Sequence, residues 1–320
     1  RADAPMPELP MPDADALAHS ERLRALIRGQ IADAGGAIPF WRFMELALYA
    51  PGLGYYSAGA QKFGRAGDFV TAPELGPLFA QCVAEAVAPL LGAMPGAQFL
   101  ELGGGSGAFA QDALVHLALL DALPARYAIL EPSADLRGRQ RERLEAMLPA
   151  ALFERVAWLD GPPQEDWRGV LFANEVLDAL PATRFAVRGG ALFEEFVARD
   201  GGGNFLRVDQ PADAFLDAAV RHIERYLGAP LPDGLRSEVL PQLPYWIQAV
   251  GGLLREGAML FADYGQPRRD YYAPERSQGT LRGFYRQRLI EDPFLWTGLA
   301  DLTASVDFTA LAEAGVGAGF

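Results

Sequence analysis

Apolar residues recur at helical spacing over residues 16–33 (Leu17, Leu23, Leu26, Ile27, Ile31), which predicts a helix with one buried face. A second helix is expected over 38–49, opened by Pro39 and closed by Pro51-Gly52, because proline fits the first turn of a helix and cannot continue its ladder. Residues 52–74 lose the period and mix glycine, aromatic and charged side chains. A loop of that length in a compact domain is usually functional or disordered, and its aromatics argue against disorder. Helical spacing returns over 77–94, with Leu78, Phe79, Cys82, Val83, Ala86 and Val87 on the expected buried face.

From residue 97 onward the pattern alternates. Short apolar runs at 97–100, 126–130, 152–159, 169–173 and 258–262 read as strands. The stretches 108–120, 134–148, 211–227 and 241–255 read as helices, the second capped by Ser133. Residues 184–187 and 192–199 flank Gly189-Gly190 and read as a hairpin. Strands alternating with helices predict an α/β fold, its sheet mostly parallel and covered on both faces. Ligands of such sheets bind beyond the carboxyl ends of the strands. Four strand ends here are polar: Glu101 with its following turn, Glu131, Asn174-Glu175, and Asp263.

The turn Glu101-Leu102-Gly103-Gly104-Gly105-Ser106-Gly107 carries the most chemistry. Glycines let a ligand approach the backbone, and the spacing Gly103, Gly105, Ala108 fits a dinucleotide fingerprint as well as other nucleotide-like cofactors. Glu101 favours one of them. A carboxylate at the turn repels a pyrophosphate but suits S-adenosylmethionine (SAM), whose amino and sulfonium groups are cationic. A nicotinamide or flavin oxidoreductase and a purely structural glycine turn remain the alternatives. Glu131 can accept hydrogen bonds from the ribose hydroxyls of either cofactor, or serve only as an acid at a helix N-terminus. Asp160 can accept from an adenine amino group, or be a plain loop acid.

Asn174-Glu175-Val176-Leu177-Asp178-Ala179-Leu180-Pro181 is the second informative segment. Methyl transfer needs its acceptor held in line, and Glu175 with Asp178 would form a carboxylate pair matched to a guanidinium fork. Asp178 read blandly caps a turn. On this reading Asn174, Glu175 and Asp178 hold the acceptor, and Glu101, Gly103, Gly105, Gly107, Glu131 and Asp160 the cofactor.

Composition removes other functions. The 320 residues are half hydrophobic, ample for a core of one or two domains. A net charge of −13 argues against nucleic acid and is compatible with a basic substrate. No apolar run approaches the ~18 residues of a membrane span. The acidic, proline-rich start resembles neither a signal peptide nor a presequence, which leaves a cytoplasmic expectation. The single cysteine, Cys82, excludes an intramolecular disulfide and is expected in the core; three scattered histidines and one cysteine give no metal-ligand spacing. Gly104-Gly105-Ser106-Gly107-Ala108 resembles a nucleophile elbow, but His222, the only histidine downstream of it and of the candidate acids, sits in a predicted helix.

Five segments in order carry a family resemblance: Phe63-Gly64-Arg65-Ala66-Gly67-Asp68-Phe69-Val70-Thr71-Ala72-Pro73-Glu74, the Glu101 turn, Ala173 to Pro181, Asp263-Tyr264-Gly265, and Ser277-Gln278-Gly279-Thr280-Leu281. Together they resemble the MidA-like class I SAM-dependent methyltransferases over about residues 46–311. The mitochondrial members of that family look like protein arginine methyltransferases that assist assembly of respiratory complex I. The resemblance implies a protein substrate, a subunit of a NADH-quinone oxidoreductase among the candidates. A scaffold that binds SAM without transferring methyl is the alternative from another class.

The resemblance also implies a seven-stranded Rossmann-like sheet with an insertion between its fourth and fifth strands, about 184–256. An N-terminal helical segment and cofactor-covering loop (1–94) would precede the methyltransferase domain (95–320). Gly67, Asp68 and Thr71 would lie near the cofactor, and Glu238, in a helix beginning near Arg236, would be a third cleft carboxylate. A closing strand pair is expected after the helix at 308–314, so a C-terminal segment is expected to be missing from this sequence.

Overall fold

The computed structural model describes residues 9–58 and 72–320. Helix α1 (Ala14–Asp33) starts where the Asp13 side chain accepts from Ala16 N–H at 2.8 Å, and buries Leu23, Ile27 and Ile31. Strand β1 (Ala37–Pro39) and helix α2 (Phe40–Tyr49) follow, then α3 (Leu78–Ala93). The expected helix over 38–49 thus begins as a short strand, because residues 37–39 have a pairing partner far along the chain.

The central layer is a parallel sheet. Its strands are β2 (Gln98–Leu102), β3 (Arg126–Leu130), β4 (Val156–Leu159), β5 (Trp167–Asn174) and, much later, β10; the connecting helices are α4 (Ala108–Leu119), α5 (Ala134–Met147) and the single turn α6 (Ala150–Phe153). The run 152–159, expected as one strand, divides because Pro149 opens a helical turn in which Glu154 N–H reaches the Ala150 carbonyl at 2.9 Å.

Between β5 and β10 (Leu254–Ala262) the chain forms β6 (Thr183–Arg188), β7 (Ala191–Arg199), β8 (Phe205–Pro211), α7 (Ala214–Leu227), β9 (Arg236–Val239) and α8 (Leu243–Gly251). The chain continues through β11 (Gly265–Gln266), α9 (Arg268–Tyr271), β12 (Arg282–Tyr285), β13 (Arg288–Ile290), β14 (Asp301–Thr303), β15 (Val306–Asp307) and α10 (Phe308–Gly317).

The parallel sheet has the order β10-β5-β2-β3-β4, five strands among the described residues where the resemblance implies seven. Its register aligns the carboxyl ends: Leu102 faces Leu130 and Ala173, and Ala262 faces Asn174. Polar residues just past those positions therefore converge on one rim. One face of the sheet packs Phe99, Tyr127 and Phe172 against α3 and α4, with the Phe109 and Phe172 rings 4.3 Å apart. The other face packs Leu100, Leu171 and Ala173 under Val250 of α8.

The second sheet is antiparallel, order β1-β7-β6-β9 with β8 along the other edge of β7. A cluster including Leu23, Ile27, Phe40, Phe43 and Val197 joins it to the N-terminal helices. Arg236 to Val239, expected to open a helix, is strand β9: Glu238 pairs across from Arg184 and Ser237 from Phe185. No helix among the described residues is long and apolar enough to cross a membrane.

Candidate active site

A cavity of about 710 Å³ opens at the aligned strand ends. Its wall includes the glycine turn, the ends of β3, β4 and β5, Trp246 of α8, and Tyr49, Tyr56 and Ser57 from the N-terminal segment.

At the glycine turn the backbone enters the left-handed region three times, with φ of +65° at Gly103, +53° at Gly105 and +83° at Gly107. A Cβ on Gly103 would stand 2.9 Å from Val176 Cγ2, so even alanine would collide as well as strain the turn. Gly103 and Gly105 line the cavity; Gly107 does not, and instead starts α4 against Gln140. Beneath the turn Glu101 is 3% exposed and accepts from the Tyr127 hydroxyl at 2.8 Å. Burial pushes its carboxyl up to about 7, further than the Tyr127 bond pulls it down. A cation beside it would restore the carboxylate.

Glu131, at the end of β3, is likewise buried and pushed up to about 7 by desolvation. It accepts from Ser133 N–H at 3.0 Å and from Gln140 Nε2 at 3.3 Å. Gln140 Nε2 also donates to the Gly105 carbonyl at 3.0 Å, while its Oε1 accepts from Trp158 Nε1 at 2.9 Å. Sequence reasoning missed this glutamine: a polar residue inside a polar helix looks solvated, yet Gln140 is fully buried. Asp160 lies at the rim, its side chain 97% exposed and paired with Arg137 at 2.8 Å.

At the opposite end Asn174 finishes β5, and both it and Glu175 line the cavity. Glu175 has φ +51°, a costly backbone for a residue with a side chain. Its N–H is bound to the Ala262 carbonyl at 2.8 Å, and among the described residues its buried Oε2 has no hydrogen-bond partner. Burial, then the charges of Asp263 and Asp301, push its carboxyl up to about 7. Asp263 sits just past β10 and braces the segment after Glu175: Oδ2 accepts from Leu177 N–H at 2.9 Å and from Asp178 N–H at 3.3 Å.

Asp178 is buried behind this segment and does not line the cavity. Desolvation and the neighbouring Asp263, Asp301 and Glu175 charges hold its carboxyl well above the usual range.

Other expectations fall elsewhere. Glu238 is outside the cavity: it is buried against Arg184, whose Nε lies 3.0 Å from its Oε1, and it accepts from Thr280 N–H at 2.8 Å. Burial of a guanidinium on β6 demands that carboxylate. Cys82, expected in the core, is exposed, because α3 turns Ala80, Val83, Ala84, Val87 and Leu91 inward instead. Gly67, Asp68 and Thr71 lie outside the described residues.

Comparison with known proteins points to the same cofactor. A family model for S-adenosyl-L-methionine-dependent methyltransferases matches residues 82–320. A crystal structure from Burkholderia thailandensis, bound to S-adenosyl-homocysteine, is 46% identical and superposes with a TM-score of 0.90 over 98% of this chain and 80% of that one. The mouse protein arginine methyltransferase NDUFAF7 is 29% identical over 309 residues, 86% of this chain and 66% of that protein. Its Drosophila melanogaster homologue is also 29% identical, over 94% of this chain and 72% of its own length. The chain thus spans about two thirds of these curated relatives. Both are named as mitochondrial, whereas the sequence reading expects this chain in the cytoplasm.

Proposed function

The chain belongs to the MidA-like family of S-adenosyl-L-methionine-dependent methyltransferases, and from that premise we propose that it methylates an arginine side chain of a protein. The observation that carries the acceptor is Glu175, held in a strained backbone with an unsatisfied buried Oε2 in the same cavity as the Glu101 turn. A carboxylate in that state calls for a cationic donor, and a guanidinium offers N–H groups in a planar fork. The relatives named as protein arginine methyltransferases support the same acceptor. A subunit of a NADH-quinone oxidoreductase is the first protein to test.

The residues fit the cofactor. A Cβ would crowd Val176 at Gly103 and Ile129 at Gly104, and two buried carboxyls, Glu101 and Glu131, stand ready for a cation and for ribose hydroxyls. Glu101, Gly103, Gly105 and Glu131 would hold it, Gly107 would set the turn, and Asp160 would face the adenine. Gly67, Asp68 and Thr71 join this set by family resemblance alone. When bound, the cofactor supplies an electrophilic methyl group on sulfur.

The rest falls to the chain. Asn174 and Glu175 orient the acceptor nitrogen, and the cavity walls exclude water from it. As that nitrogen gains a carbon bond it must lose one proton, and Glu175 Oε2 is placed to take it. In this reading residues 184–256 form an insertion in a methyltransferase domain of residues 95–320, preceded by an N-terminal helical segment and cofactor-covering loop within residues 1–94.

Incubation with methyl-labelled SAM and cell extract, followed by identification of the labelled residue, tests the proposal. Label on arginine is expected. Tight SAM binding with no transfer across a broad panel would favour a scaffold, and tighter binding of NADH than of SAM would overturn the cofactor.

A further inference from the structure

We propose that Tyr49 and Tyr56 select the acceptor: their stacked rings form the aromatic wall that receives a guanidinium beside Glu175. This rests on the arginine acceptor proposed above and assigns its recognition to the N-terminal segment, outside the residues matched by the family model.

The two rings stack with centroids 5.5 Å apart and planes inclined by 23°. Both line the cavity, half-buried. Their hydroxyls are already engaged: Tyr49 donates to the Ala179 carbonyl at 2.9 Å, and Tyr56 to Asp301 Oδ1 at 2.9 Å. Tyr49 is thereby tied to the acceptor segment, four residues after Glu175. Tyr55 packs edge-on against Tyr56 at 5.0 Å, which fixes the second ring. With the hydroxyls bound, the rings contribute aromatic surface to the wall rather than a donor.

The electrostatics agree. Burial, then the charge of Asp301, raises both phenols well above their ordinary range, so the rings stay neutral. An aromatic face with carboxylates behind it attracts a cation. It favours a guanidinium, flat and weakly hydrated, over the compact and strongly hydrated ammonium of lysine. A purely structural pair, needed only to pin the N-terminal segment to the sheet, would depend on the hydroxyls as much as on the rings.

That difference gives the test. The acceptors are an arginine peptide methylated by the unaltered protein and the same peptide with lysine in its place, at saturating SAM. Tyr56→Leu is expected to raise KM for the arginine peptide about tenfold and to narrow its advantage over lysine. Tyr56→Phe, which keeps the ring, is expected to stay within about threefold, with SAM affinity unchanged in both. Equal effects of Phe and Leu, an unchanged KM in both, or a parallel loss of SAM binding would overturn the proposal. Thermal unfolding checks each variant, and Tyr49→Leu with Tyr49→Phe repeats the comparison should Tyr56→Leu fail to fold. Unaltered protein that labels no arginine removes the acceptor reading and this inference with it. Labelling with one KM in every ring variant removes this inference alone.

Discussion

Gln140 Nε2 bridges Glu131 Oε2 at 3.3 Å and the Gly105 carbonyl at 3.0 Å, so one buried amide sets the spacing between the glycine turn and the carboxylate that ends the next strand. Gln140→Ala is expected to weaken SAM binding about tenfold or more, because both groups lose their brace. It should also destabilise the fold by about 1–3 kcal/mol, since Trp158 Nε1 loses its acceptor. Isothermal titration and denaturant unfolding read the two effects separately.

Glu175→Gln keeps the volume and removes the charge. Transfer is expected to fall about 100-fold, the usual scale for losing a positioned base, with SAM affinity within about twofold. Equal losses in both would place Glu175 in the cofactor site instead.

Transfer should also depend on pH. Glu175 acts as a carboxylate, and its carboxyl is pushed up to about 7. Single-turnover rates should therefore rise with pH through about 7 and lose that step in Glu175→Gln. Asp263→Asn keeps an oxygen for Leu177 N–H but removes a negative neighbour. A carboxyl with fewer negative neighbours ionises more easily, so the step should move to lower pH.

Stability should run the other way in the free protein. Glu101 and Glu131 each rise from an ordinary 4.5 to about 7 in the fold. The folded state therefore holds these protons more tightly than the unfolded chain. The stabilisation is fully present below about pH 4.5 and is lost as pH rises through about 7, at most about 3 kcal/mol for each group. A bound cation offsets the loss, so the rise in melting temperature on adding SAM should be larger at pH 8 than at pH 5.5.

The ion pairs under the second sheet offer a contrast. Glu195 is fully buried, 3.0 Å from Arg184 and 2.6 Å from Arg236. Glu195→Ala leaves Arg184 with Glu238 at 3.0 Å and Arg236 with Asp209 at 2.9 Å but removes the carboxylate they share, and is expected to cost about 1–3 kcal/mol in denaturant unfolding.

The strand ends were legible in the sequence because apolar runs stopping at an acid are a local pattern, and Glu101, Glu131 and Asn174-Glu175 all reach the cavity. What local pattern cannot carry is partnership across the chain. Arg236 to Val239 is too short to show a period, and its strand character comes from pairing with β6. Glu238 is expected at the cleft by resemblance alone, and the residue that instead holds it, Arg184, lies 54 residues away, beyond any local pattern. Gln140 gave no signal, since its partners are a backbone carbonyl, a carboxylate and an indole brought together only by the fold. The φ of +51° at Glu175 is likewise a product of the Ala262 and Asp263 contacts and not of its own residue type.

The pairing of β1 with β7, Ile38 opposite Val197, has a consequence for exchanging parts between relatives. The strand that leads into the Tyr49 helix is hydrogen-bonded into the sheet that also carries Arg184 and Glu195. A graft of residues 37–58 alone would cut that seam and leave a ragged sheet edge. A chimera meant to inherit a new substrate preference has to carry the N-terminal segment and the second sheet together, while the glycine turn and its cofactor can stay with the host.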